Sequence, residues 1–225
     1  MYSYSYLYNK RVRKGFYINW ALMNTCNYKC RYCHSDLNGG TIKAPSYQAV
    51  LGFVKHILDS IEDPNDKPYF EFGGGEVTLL SYFSDLLQYI SWGGGDVTIV
   101  SNGSKKVSWW RDNAEYLSGV SLSYHINDIK SESHFVAVSK VLEASQNTRF
   151  HVNIMMIPER FDDCLEFANR LKQEVRCSIA LQPLFEGFGH IFHNAFINHH
   201  LSEMRTADLS SVGLLFHLSK KIINA

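Results

Sequence analysis

The sequence predicts an α/β fold of parallel strands with outer helices, and three features of its 225 residues point there. Segments of strand character alternate with segments of helical period along most of the chain. The connections are long enough to be crossovers rather than hairpins. The residues least explained by packing fall just after strand ends, where α/β folds carry their working loops.

The first strand is expected at 16–23, FYINWALM, where aromatic and branched residues occur on both faces. Ser46 then offers a helix cap, and Tyr47, Val50, Leu51, Val54, Ile57 and Ile61 follow at helical spacing. PYFEF at 68–72 is the second strand, and Leu79 to Ile90 repeats the helical stripe, stopping near Gly93. VTIVSNG at 97–103 is the third strand, with a helix over 109–117 after it. VSLSYH at 120–125 and a helix over 133–144 make the fourth unit, and FHVNIMMI at 150–157 the fifth strand. Phe161, Cys164, Leu165, Ala168 and Leu171 mark one more amphipathic helix before the sixth strand, CSIALQPL at 177–184. Strict alternation implies right-handed crossovers, and periodicity leaves open a doubly wound sheet or a barrel.

Composition narrows the function. With 45% hydrophobic residues the chain can bury one sizeable core. Lys plus Arg number 22, as do Asp plus Glu, so no overall charge favours nucleic acid or an anionic membrane. No stretch reaches the length of a membrane span, and the opening MYSYSYLYNKRVRKGF lacks the apolar run of a secretory signal. Five cysteines, three of them within eight residues, suit metal ligation in a reducing cytoplasm better than disulfides.

Those three are Cys26, Cys30 and Cys33 in CNYKCRYC. Three thiolates so close can wrap a compact iron-sulfur cluster, leaving one iron of four without a cysteine and open to another ligand. Zinc, and unliganded core thiols, are the alternatives. Zinc would need a fourth protein ligand, and His34, directly after Cys33, is poorly spaced for tetrahedral closure.

CNYKCRYC, with Tyr32 before its last cysteine, resembles the signature of the radical S-adenosylmethionine superfamily. The order of downstream motifs is similar too. Gly74, Gly75 and Glu76 in GGGEVT resemble the family's glycine-glutamate element at the end of the second strand, with Val77 where a proline is usual. SNG at 101–103 and VSLS at 120–123 resemble its third- and fourth-strand elements. The resemblance implies a partial (β/α)6 TIM-like barrel over 16–188, between an extension at 1–15 and a tail at 189–225 with one helix. It also implies a 4Fe-4S cluster on Cys26, Cys30 and Cys33, and S-adenosylmethionine bound by the backbone of Tyr32 and by Gly74, Gly75, Glu76, Asn102 and Ser123.

Alternation along strands four and five puts Ser121, Ser123 and His125 on one face, and His151, Asn153 and Met155 likewise. This polar face should line the barrel. It makes His125, Asn153 and Gln182 candidates for contacts to cofactor or substrate. The implied activity is reductive cleavage of S-adenosylmethionine to a 5'-deoxyadenosyl radical that takes hydrogen from a peptide or small metabolite. The electron would come from a donor such as flavodoxin or ferredoxin. A glycyl-radical activase, with its histidine after the last cysteine, and a non-catalytic iron-sulfur or zinc protein are the competing functions; no residue is identified as catalytic on the substrate.

Other signals carry less. GGGD at 93–96 reads as a turn, since no lysine and hydroxyl residue follow it as in a phosphate loop. Cys164 lies on an apolar stripe and Cys177 stands alone, so both read as packed thiols. His190, His193, His199 and His200 match no ligand spacing, and a helix is expected over 209–223.

Overall fold

The computed structural model describes residues 16–63, 66–186 and 190–191. Six strands form one sheet: β1 Tyr17–Ala21, β2 Tyr69–Gly73, β3 Asp96–Ser101, β4 Gly119–Tyr124, β5 Arg149–Met156 and β6 Ser178–Pro183. Each strand pairs in parallel with the next in sequence, giving the order β1-β2-β3-β4-β5-β6. That order resolves the choice left by periodicity. A doubly wound sheet reverses its order at a switch point, which sends crossovers to both faces; an order that never reverses keeps right-handed crossovers on one face. The architecture is a partial (β/α)6 TIM-like barrel, open because β1 and β6 do not pair.

Helix α1, Ser35–Asn38, is a single turn in the segment after β1. The five crossover helices are α2 Tyr47–Asp59, α3 Phe83–Trp92, α4 Val107–Asn113, α5 Glu132–Ala144 and α6 Phe161–Glu174. Ser46 caps α2 as expected, its hydroxyl accepting from the Ala49 amide at 3.3 Å. The second helix starts later than the apolar stripe suggested. Glu76 accepts from the Thr78 amide and closes a separate 3-10 turn at Val77–Leu79; Leu80 is extended, so α3 begins only at Phe83.

The helix-facing side of the sheet is apolar. Phe70, Phe72, Val97, Ile99, Leu122, Val152 and Ile154 are wholly buried against Val54, Leu86, Ile90, Val138, Phe167 and Leu171 of the helices. Tyr124 stacks on Phe167 at 3.7 Å between ring centres, and Phe135 meets both edge-on. The opposite side carries Glu71, Thr98, Ser121, Ser123, His151 and Asn153, placed in adjoining rows by the register Glu71↔Thr98, Ser121↔His151 and Ser123↔Asn153. The expected polar lining of the barrel is therefore present.

Cys164 is fully buried on its helix and Cys177 half-buried, both as packed thiols. Gly94, with φ of 84°, sits in a turn, in keeping with the reading of GGGD. A short antiparallel pair, Phe185–Glu186 with His190–Ile191, follows β6 and was not anticipated. The expected helix at 209–223 and His193, His199 and His200 lie outside the described residues. Among the described residues no helix is long and apolar enough to cross a membrane.

One helix position is underused. Gly52 lies inside α2 with nothing within 4 Å of where a Cβ would stand. Gly52→Ala should stabilise the protein by ~0.5–1 kcal/mol through helix propensity alone, read as a higher urea midpoint at unchanged slope.

Candidate functional site

The segment after β1 is held down first at its base. Asn24, almost wholly buried, accepts from the Gly40 amide through its carbonyl at 3.1 Å and from the Ile42 amide through its side chain at 2.7 Å. This closes the segment from 24 to 42 into a loop whose raised part carries the cysteines. The turn after β2 then docks on it: the Gly75 amide donates to the Met23 carbonyl at 3.0 Å, and the Glu76 amide to Thr25 at 2.9 Å. Both glycines are required by this approach. Gly74 has φ of 95°, and a Cβ on Gly75 would stand 2.1 Å from the Thr25 carbonyl oxygen.

Glu76 is 1% exposed. Its Oε1 accepts from Thr78 N, Thr78 Oγ1 and Ser101 Oγ at 3.2, 2.6 and 2.9 Å, and its Oε2 from Asn102 N at 2.8 Å. Burial raises its pKa, and these donors oppose the rise. Every one of them belongs to this chain, so the carboxylate joins the ends of β2 and β3. Asn102 carries the connection onward: its Nδ2 donates to Asn27 Oδ1 at 3.0 Å and lies 3.6 Å from Cys26 Sγ.

The far half of the cysteine loop meets β4. Tyr32 Oη lies 2.6 Å from His125 Nδ1 and Cys30 Sγ 3.4 Å from the same nitrogen. The Tyr32 ring stacks on His125, and Tyr28 meets it edge-on. Burial pushes His125 down from 6.5 to about 4, with Asp128 partly opposing, so its ring is neutral at pH 7. Cys26, Cys30 and Cys33 are all pushed up, chiefly by burial; the Asp128 carboxylate adds to Cys30, and Cys26 adds to both of its companions.

This is the environment of thiols that need a cation to stay ionised, which fits them to a positively charged metal cluster. Among the described residues, no group of three His, Cys, Asp or Glu side chains is already gathered as a metal site. His34, the candidate fourth ligand for zinc, accepts from the Asp36 amide at 3.2 Å and caps α1.

Deeper inside, Asn153 Nδ2 donates to Ser121 Oγ at 2.9 Å, and Ser121 Oγ lies 3.0 Å from His151 Nε2. Ser123 stands beside Asn153 across the β4–β5 register. The structure thus brings Cys26, Cys30, Tyr32, Gly74, Gly75, Glu76, Asn102 and His125 into one connected rim, with Ser123 and Asn153 on the floor below. It adds Asn27, Arg31, Asp128 and Glu159, which sequence reasoning missed. Asn27 and Arg31 could have been flagged by their place among the cysteines, but Asp128 and Glu159 are ordinary surface carboxylates until the fold puts them there.

No protein-family model matches the chain, and no curated protein does. Solved structures do. SuiB of Streptococcus suis bound to precursor peptide SuiA is similar with a TM-score of 0.59 at 17% identity, over 89% of this chain and 48% of that one. SuiB bound to S-adenosylmethionine gives 0.57 at 18% identity, over 90% and 50%. A further SuiB crystal structure gives 0.56 at 18%, over 90% and 49%. The chain spans about half the length of SuiB and shares its fold over that half.

Two outcomes follow. Gly75→Ala should force the two loops apart and cost about 1–3 kcal/mol of unfolding free energy in urea titrations. For His125, both states carry a neutral ring above pH 6.5; below it the unfolded chain gains a proton that the folded chain refuses until about pH 4. Stability should therefore fall as pH drops through that window, by about 3 kcal/mol, and His125→Gln should flatten the slope between pH 7 and 5 in unfolding titrations.

Proposed function

We propose that this chain is a radical S-adenosylmethionine enzyme. The observation that carries the reading is the position of CNYKCRYC: its loop leaves β1 at the carboxyl rim of a parallel open barrel and is buttressed by Gly75, Glu76, Asn102 and His125. The likeness to a SuiB structure bound to S-adenosylmethionine supports it. Cys26, Cys30 and Cys33 would hold a 4Fe-4S cluster. When bound, cluster and S-adenosylmethionine together supply a 5'-deoxyadenosyl radical by reductive cleavage.

The chain's residues bind and shield. The backbone of Tyr32 would hold the adenine, and Gly74, Gly75 and Glu76 would hold the methionine end, Glu76 by fixing the rim as well as by its charge. Asn102, Ser123, His125 and Asn153 supply neutral hydrogen-bonding groups, and Asn153 is oriented by Ser121. The rings of Tyr28 and Tyr32 around His125 keep water from the inner side of the loop. The catalytic unit is 16–188, with 1–15 as an extension and 189–225 as a tail. It works in the reducing cytoplasm, with flavodoxin or ferredoxin as electron donor. A peptide is the favoured substrate, supported by SuiB's structure with precursor peptide SuiA.

The test is anaerobic reconstitution with iron and sulfide, followed by metal analysis and chromatography for 5'-deoxyadenosine after adding dithionite and S-adenosylmethionine. The wild type should bind iron and form the nucleoside; Cys30→Ala should lose both, since two thiolates hold the cube poorly. A wild type carrying only zinc, with no nucleoside formed, overturns the proposal.

A further inference from the structure

The cysteine loop starts at one edge of the sheet, yet it touches the loops after four successive strands. Gly75 and Glu76 follow β2 and meet Met23 and Thr25; Asn102 follows β3 and meets Asn27. Asp128 and His125 follow β4; Asp128 accepts from the Lys29 amide at 3.3 Å, and His125 meets Tyr32. Glu159 follows β5, and both its carboxylate oxygens accept from Arg31 Nη2, at 2.7 and 2.8 Å. Arg31 and Glu159 are 128 residues apart, and their strands are first and fifth in a sheet whose ends do not pair. Strand hydrogen bonds link these two points only through the three strands between them, and no β1–β6 pairing closes the sheet to fix its curvature. The Arg31–Glu159 pair is a direct tie across the mouth between them.

The ties differ in kind along the loop. Around Cys26 they are buried and run through Glu76 and Asn102, the same groups that join β2 to β3. From Lys29 onward the loop has Asp128, His125 and Glu159. The Arg31 and Glu159 side chains are 59% and 57% exposed, so their pairing adds little to global stability and is open to screening by salt. Yet Arg31 stands between Cys30 and Cys33, and a shift of its backbone carries both thiols with it.

We propose, resting on the radical S-adenosylmethionine reading, that Glu159 is a positioning residue: through Arg31 it draws the cysteine loop across the barrel mouth. It thereby sets the height of Cys30 and Cys33 above the floor residues Ser123 and Asn153, and so how tightly the cofactor is held between them. It contributes to neither the fold nor the capacity to bind iron.

The experiment uses the full chain in three forms: wild type, Glu159→Gln, and the exchanged pair Arg31→Glu with Glu159→Arg. The first arm needs no cofactor. Amide hydrogen exchange at 26–33 should quicken roughly fivefold in Glu159→Gln, the upper range for an exposed pair, while exchange in β4 and the thermal midpoint stay as in wild type. The exchanged pair should recover the slow exchange, and wild type should lose its advantage at about 1 M salt, where the screening length is about 3 Å. In the second arm, on reconstituted holoenzyme, Glu159→Gln should keep its iron content and raise the KM for S-adenosylmethionine severalfold more than it changes kcat. Unchanged exchange at 26–33 in Glu159→Gln overturns the proposal, as does a KM equal to wild type. If the wild type forms no 5'-deoxyadenosine, the underlying reading fails, while the exchange arm still decides whether Glu159 holds the loop.

Discussion

The buried carboxylate of Glu76 is the constraint on which the rest of the rim depends. A carboxylate removed from water costs several kcal/mol unless donors replace its hydration, and here four bonds from Thr78, Ser101 and Asn102 do so. Those bonds fix three things together. They shape the turn after β2, fasten it to the end of β3, and leave Asn102 in place to reach the cysteine loop. The two glycines before it supply the close approach, because a side chain on Gly75 would occupy the space of the Thr25 carbonyl. Charge, turn and loop therefore form one unit, and none of them could be altered alone.

The sheet gives this unit its direction. Because strand order never reverses, every crossover helix lies on one side, and the alternation of side chains sorts apolar residues outward and polar ones inward. The outward side is a tightly packed layer of Phe70, Phe72, Val97, Ile99 and Leu122 that fixes where each strand ends. The inward side keeps Ser121, His151 and Asn153 bonded to one another, so that their desolvation is compensated without drawing on the rim. A neutral, hydrogen-bonded floor lies under a rim of thiols that need positive charge. Such a division suits a site that anchors a metal cluster above and orients a polar organic ligand below.

Burial acts on both titratable partners at the loop's centre, in opposite directions. It raises the Cys30 thiol and lowers the His125 imidazole, so each is held in its neutral form at pH 7. Tyr32 and Tyr28 enforce this by enclosing the imidazole. The contact of Cys30 with His125 is thus a low-charge resting arrangement, and a cationic cluster would reverse the preference of the sulfur.

The residues themselves determined the alternation of elements, since periods of two and of 3.6 residues are properties of neighbours in the chain. They also determined the cysteine loop, because CNYKCRYC places all three thiols within one short segment, and the polar face of β4 and β5, because alternation needs only the strand itself. Tertiary structure decided what depends on residues far apart. That the sheet is singly wound follows from strand pairing, which no local pattern encodes. That α3 begins at Phe83 follows from Glu76 spending its side chain on a separate turn, and that Glu76 ties β2 to β3 follows from its meeting Ser101 and Asn102. Glu159 was silent in the sequence, and Arg31 showed only its place among the cysteines, because a surface charge acquires its meaning from its partner, and these partners stand 128 positions apart.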